Sequence, residues 1–208
     1  MTMMIARCWV VVAVLLSAVP VAAQDRMPPI PAEKMTGEQK QAAVQFKANR
    51  GQEVFGPFVP LMRSPEVMLR TMALGDYLRY KTTLGNPLNE FVILLTARHF
   101  TQHYEWSVHY PIAVDGGLNA GIAKAIAEGR RPGGMSADQE LVYDFTTELL
   151  QNQGVSDATY GRAVARFGEQ GTIELVTVAG YYTYQSMVLN TARTPVTTAP
   201  ALSLKPLP

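Results

Sequence analysis

NEFVILLTARHFTQHYEWSVHYPIAVDGGL, residues 89–118, decides how this chain is read. Gly85-Asn86-Pro87 breaks the helix before it, and a new helix is expected from about Pro87 through Phe91, Ile93, Leu94 and Leu95 into the histidine segment. Asp115-Gly116-Gly117 stops that region. Residues 99–109 hold all three histidines of the chain, together with a glutamate and a tryptophan. Leu94, Leu95, Phe100, Tyr104, Trp106, Val108 and Tyr110 make the stretch too apolar for a solvated helix, so some of its polar side chains must face protein and find partners there.

The flanking sequence carries the same helical punctuation. Thr36-Gly37-Glu38-Gln39 and Ser136-Ala137-Asp138-Gln139 fit the capping box, a hydroxyl followed three residues later by glutamine. Ser64 and Pro65 open a helix expected over residues 65–81, with Val67, Met68, Met72, Leu74 and Leu78 at helical spacing. Further helices are expected over residues 118–127, 138–151, 157–167 and 169–189, with a turn at 129–134. Strand-like alternation is scarce, and the class is all-α.

At the start, MTMMIARCWVVVAVLLSAVPVAAQD pairs one basic residue with a short apolar run and the small residues Val21-Ala22-Ala23, the pattern of a signal peptide over residues 1–23. This predicts an exported protein, periplasmic or secreted. The sole cysteine, Cys8, would leave with that segment, and the mature chain would have no thiol. A proline-rich linker is expected over residues 24–35, a helical domain over 36–190 and an extended tail over 191–208, with both ends outside the core. The net charge of +1 and the lack of a basic stripe argue against a nucleic-acid partner. No second apolar run is long enough to cross a membrane, so none is expected to hold the protein after signal cleavage.

Placed on one helix, Gln102, Glu105 and His109 fall at i, i+3 and i+7, within a sector of about 60°. Glu105 and His109 are i, i+4 neighbours, so the carboxylate can orient the imidazole and raise its basicity, as an acid/base histidine requires. An unbroken helix from Arg98 would bring a guanidinium to that face as an anchor for a substrate carboxylate, whereas a break near Thr101 would remove it. His99 and His103 share the i, i+4 spacing of a two-imidazole metal site, but two ligands alone make a weak one. Gly116-Gly117 and the 129–134 turn are read as helix ends instead of phosphate loops. Tyr181, Tyr182 and Tyr184 are read as packing, with a pocket wall as the other reading.

The quoted stretch, preceded by GPFVPLMRSPEVMLRTMALGDYLRY at residues 56–80, resembles the carboxymuconolactone decarboxylase family, related to the alkylhydroperoxidase D group. The likeness spans residues 56–189 and centres on Y-E-W-x-x-H-x-P-I-A. It implies an alkylhydroperoxidase D-like helical bundle that assembles into homo-trimers or hexamers. In the peroxidase branch, Glu90 and His109 match a glutamate and a histidine, while Gln102 and Glu105 stand where the redox C-x-x-C would be. Thiol-based peroxide reduction is therefore not expected. The decarboxylase branch, which also lacks the cysteines, implies a cofactor-free carboxy-lyase acting on a small carboxylated lactone. On that reading His109 transfers the proton, Glu105 orients it, Glu90 relays a proton, and Arg98, Gln102, Tyr104 and Trp106 contact the substrate. A non-catalytic exported oligomer that binds a small molecule, and a metal-dependent or residual redox enzyme, stand as the other readings.

Overall fold

A computed structural model describes residues 24–205 of the 208-residue chain. The expected signal peptide, with Cys8, lies outside the described residues. A short 3-10 turn at Ala32–Lys34 precedes α1 (Gly37–Arg50), α2 (Phe58–Leu61), α3 (Pro65–Tyr80) and α4 (Asn86–His99). There follow α5 (His103–Asp115), α6 (Ala120–Ala127), α7 (Ala137–Asn152) and α8 (Asp157–Ala192). Among the described residues there is no strand.

Local chemistry explains most of the boundaries. Thr36 and Gln39 exchange both capping-box bonds at the start of α1, and Ser136 and Gln139 do the same for α7. Pro65 occupies the first turn of α3, where its missing N–H costs no hydrogen bond. Inside α8, Gly168 has φ 71° and ψ 176°, so the element is two helices joined at a kink, at the boundary expected between residues 167 and 169.

The centre of the fold is α4, which packs against α5, α7 and α8. Every residue from Asn89 to Arg98 is buried, because the helix is apolar nearly all round and is enclosed accordingly. Leu94 is fully buried in the larger core cluster, together with Phe91, Trp106, Phe145 and Leu175. Leu94→Ala should lower the unfolding free energy by about 2–5 kcal/mol in urea titration, from lost transfer energy and the cavity left behind. A smaller cluster of Phe46, Phe58, Met62, Met68 and Met72 joins α1, α2 and α3.

One expectation is corrected. The chain ends do not lie outside the core: Leu204 is buried in the main cluster, Leu202 packs on it, and the Leu202 carbonyl accepts the Trp106 indole N–H at 2.6 Å. At the other end, the Arg26 N–H donates to the Ala192 carbonyl at 2.7 Å. Of the two arrangements left open for residues 98–105, the structure has the break near Thr101. Thr101 has φ 46°, and around it the Gln102 N–H donates to the Ala97 carbonyl and the Thr101 N–H to the Arg98 carbonyl. That pair of bonds is a Schellman ending, with a threonine in the left-handed position that glycine usually fills.

Candidate functional site

The Schellman turn folds α5 back along α4 and sets His109 opposite Glu90. His109 Nδ1 lies 2.6 Å from Glu90 Oε2, and Nε2 lies 3.4 Å from Glu105 Oε2, one helical turn earlier on α5. All three side chains are at least 95 % buried. The tighter partner is Glu90, so on geometry the orienting role expected of Glu105 falls to Glu90. Glu105 lines a small cavity on the other side of the ring.

Burial pushes the imidazole toward the neutral form, but the hydrogen bonds and charges of Glu105 and Glu90 outweigh it and hold the His109 pKa at about 9. A pKa raised to about 9 favours the imidazolium at neutral pH, with both ring nitrogens as donors. Its proton is bound more tightly in the fold than in the unfolded chain. The resulting stabilisation, about 3 kcal/mol, is complete below pH 6.5 and is lost as pH rises through about 9. Urea midpoints measured from pH 6 to 10 should fall across that window, and much less in a His109→Gln variant.

The cavity has a volume of about 50 Å³, which holds only a few water-sized groups. Besides Glu105 and His109 it is bounded by Tyr104, Tyr181 and Tyr182, by Phe55 and Phe58, and by Arg50 and Arg79. The Tyr182 ring stands edge-on to His109, with centroids 5.1 Å apart. Burial and the Glu105 charge raise its phenol pKa well above the usual value, so it remains a neutral hydroxyl. Tyr181 donates to the Thr71 carbonyl at 3.1 Å, and Gly75 on α3 makes room for it, since a methyl there would stand 2.3 Å from the phenol oxygen. The tyrosine cluster is thus both packing and cavity wall.

The remaining expected site residues are dispersed. The break at Thr101 takes Arg98 off the α5 face. Its guanidinium donates to the carbonyls of Ala127 and Lys205 at 2.9 and 2.6 Å, and to Thr101 Oγ1 at 2.7 Å, tying α6 and the tail to α4. Gln102 caps α5 by accepting from the Tyr104 N–H and donates to Asn190 Oδ1, beside a groove under the tail. Trp106 is core. His99 and His103 are exposed on either side of the break, on different helices. Among the described residues, no three His, Cys, Asp or Glu side chains are grouped to hold a metal ion.

Comparison with protein-family models and with curated proteins gives no match. Comparison with solved structures does. The core of an alkylhydroperoxidase AhpD, an uncharacterized peroxidase-related protein from Ralstonia eutropha JMP134, superposes with a TM-score of 0.64 at 15% identity. The alignment covers 80% of this chain and 88% of that one. The chain has the alkylhydroperoxidase D-like fold. A second structure, a cysteine-to-alanine variant of the debrominase Bmp8 in complex with 2,3,4-tribromopyrrole, aligns at the same TM-score of 0.64 with 11% identity, over 86% of this chain and 96% of that one. The expected all-α, alkylhydroperoxidase D-like bundle is therefore observed. The chain's only cysteine is Cys8, outside the described residues, so there is no thiol among the described residues.

Arg50 and Arg79 belong to the site although nothing in the sequence points to them. They stand near the ends of α1 and α3, remote in sequence from residues 99–109, and no local pattern pairs them with His109. Glu90 carries a readable signal, as the one acid of α4, next to the apolar run Phe91–Leu95.

Proposed function

We propose that this protein is a cofactor-free acid/base enzyme, related in chemistry to carboxymuconolactone decarboxylase, that acts on a small carboxylated or lactone-like molecule. The observation that carries the reading is a buried histidine held between the side chains of Glu90 and Glu105 at the edge of a cavity. In a decarboxylation, the bond from the carboxylate carbon to the substrate breaks and CO2 leaves. The bonding pair spreads into the conjugated lactone as a dienolate, and His109 donates its proton to carbon. Glu90 fixes the ring by its Nδ1 bond, and Glu105 keeps the imidazolium charged until the transfer. The neutral histidine then recovers a proton from solvent, so the cycle needs no oxidant. The missing thiol argues against peroxidase or thiol-based dehalogenating chemistry, whatever the solved structures of this fold do. The N-terminal pattern supports an exported protein, and the family resemblance supports a homo-oligomer.

A second reading, a binding protein without turnover, is favoured by the small cavity and its aromatic wall of Phe55, Tyr104 and Tyr182. A lactone ring requires that wall to open. Purified protein incubated with 4-carboxymuconolactone and related lactones should release CO2 at a rate proportional to enzyme. Binding without CO2 release from any of them would move the protein to the second reading.

A further inference from the structure

Resting on the acid/base reading, we infer that the carboxylate of the substrate is held by Arg79 of α3, assisted by Arg50 of α1, and not by Arg98. Arg98 is committed: both of its terminal nitrogens are hydrogen-bonded to carbonyls or to Thr101 outside this cavity. Arg79 is different. It lines the cavity that Glu105 and His109 border, and its guanidinium rests on the face of the exposed Tyr80 ring, 5.3 Å from the centroid, a contact that uses none of its N–H donors. Its Nε is buried without a partner. A half-buried guanidinium left unpaired keeps its full donor capacity for a ligand, and its planar fork matches a carboxylate. Arg50 also lines the cavity with a buried, unpartnered Nε, but Asp76 takes its Nη2 at 2.8 Å, so its charge is largely answered.

The charge layout gives the cavity a direction. Two carboxyl side chains flank the His109 ring and disfavour an anion beside them. The guanidiniums of Arg79 and Arg50 attract one. A small carboxylate therefore enters with its anionic group toward Arg79 and its opposite, apolar end toward the imidazolium. This orientation presents a carbon, not the carboxylate oxygens, to the proton donor. Arg79 also borders a second cavity formed with Asn86, Asn89 and Ile112, where the Asn89 Oδ1 is buried and without a partner. The guanidinium thus stands between the two spaces.

The test compares 2-furoate, a five-membered ring with one carboxylate, with its neutral amide, 2-furamide, by calorimetric titration at pH 7. Wild-type protein should bind furoate at least about tenfold more tightly than furamide, the factor expected of one charge-assisted contact. Arg79→Gln should abolish that preference with an unchanged melting temperature, and Arg79→Lys, which keeps the charge and the fold, should restore part of it. Equal affinity for the two probes, no binding of either at millimolar concentration, or a preference that survives Arg79→Gln would overturn the anchor. The two readings fail separately. If lactones are decarboxylated while the preference survives Arg79→Gln, the acid/base reading stands and the anchor falls. If the preference is lost with Arg79 while no lactone is turned over, the carboxylate site stands and the catalytic reading falls.

Discussion

His109→Gln should reduce the rate of lactone decarboxylation by about 10²–10⁴-fold, the range a positioned general acid contributes, while the circular dichroism spectrum stays that of the helical bundle. Glutamine keeps a hydrogen-bonding amide between the two carboxylates but has no proton to give at any accessible pH. The loss should appear in kcat, because the proton is transferred only in the transition state, with KM changed far less. In the wild type the donor form persists through neutral pH, and kcat should decline only as pH passes about 9. A rate that falls instead as pH rises through 6.5 would mean that the two carboxylates do not hold the proton.

Glu90→Ala is expected to be the most destabilising single change in the site, costing about 3–5 kcal/mol in equilibrium unfolding. The glutamate is 1 % exposed and its Oε2 lies 2.6 Å from His109 Nδ1, so its removal leaves a buried imidazole without its closest partner. Glu90→Gln separates charge from packing. It fills the same space and should cost less stability, but it should lower the His109 pKa, because one carboxylate can no longer favour the imidazolium. If the glutamine variant titrated like the wild type, Glu105 alone would be holding the proton. The orienting role would then return to Glu105.

Features that depend on neighbours within one turn are legible in the sequence. The capping boxes at Thr36 and Ser136, Pro65 at the start of α3 and the interruption at Gly168 all follow from side chains or backbone freedom acting locally. The Glu105–His109 neighbourhood is legible for the same reason, since i, i+4 spacing alone brings the two together. The break at Thr101 is not, because a β-branched residue at φ 46° goes against local preference. Arg98 holds Thr101 Oγ1, and that guanidinium is itself fixed by the carbonyls of Ala127 and Lys205, distant in the chain. The composition of the tail misleads. Leu202 and Leu204, and the carbonyls that Trp106 and Arg98 hold, bind it to helices far earlier in the chain. Arg50 and Arg79 reach the site only through the packing of α1 and α3, which no spacing within either segment encodes.

A protonated histidine buried between two carboxylates is tested most directly by a nitrogen-15 NMR titration of the imidazole rings. With three histidines in the chain the spectrum is simple, and His109→Gln assigns the relevant signal. One ring, that of His109, should stay protonated on both nitrogens at pH 7 and titrate near 9. A His109 signal that is neutral at pH 7, or that titrates at or below 6.5, would contradict the proton-donor site.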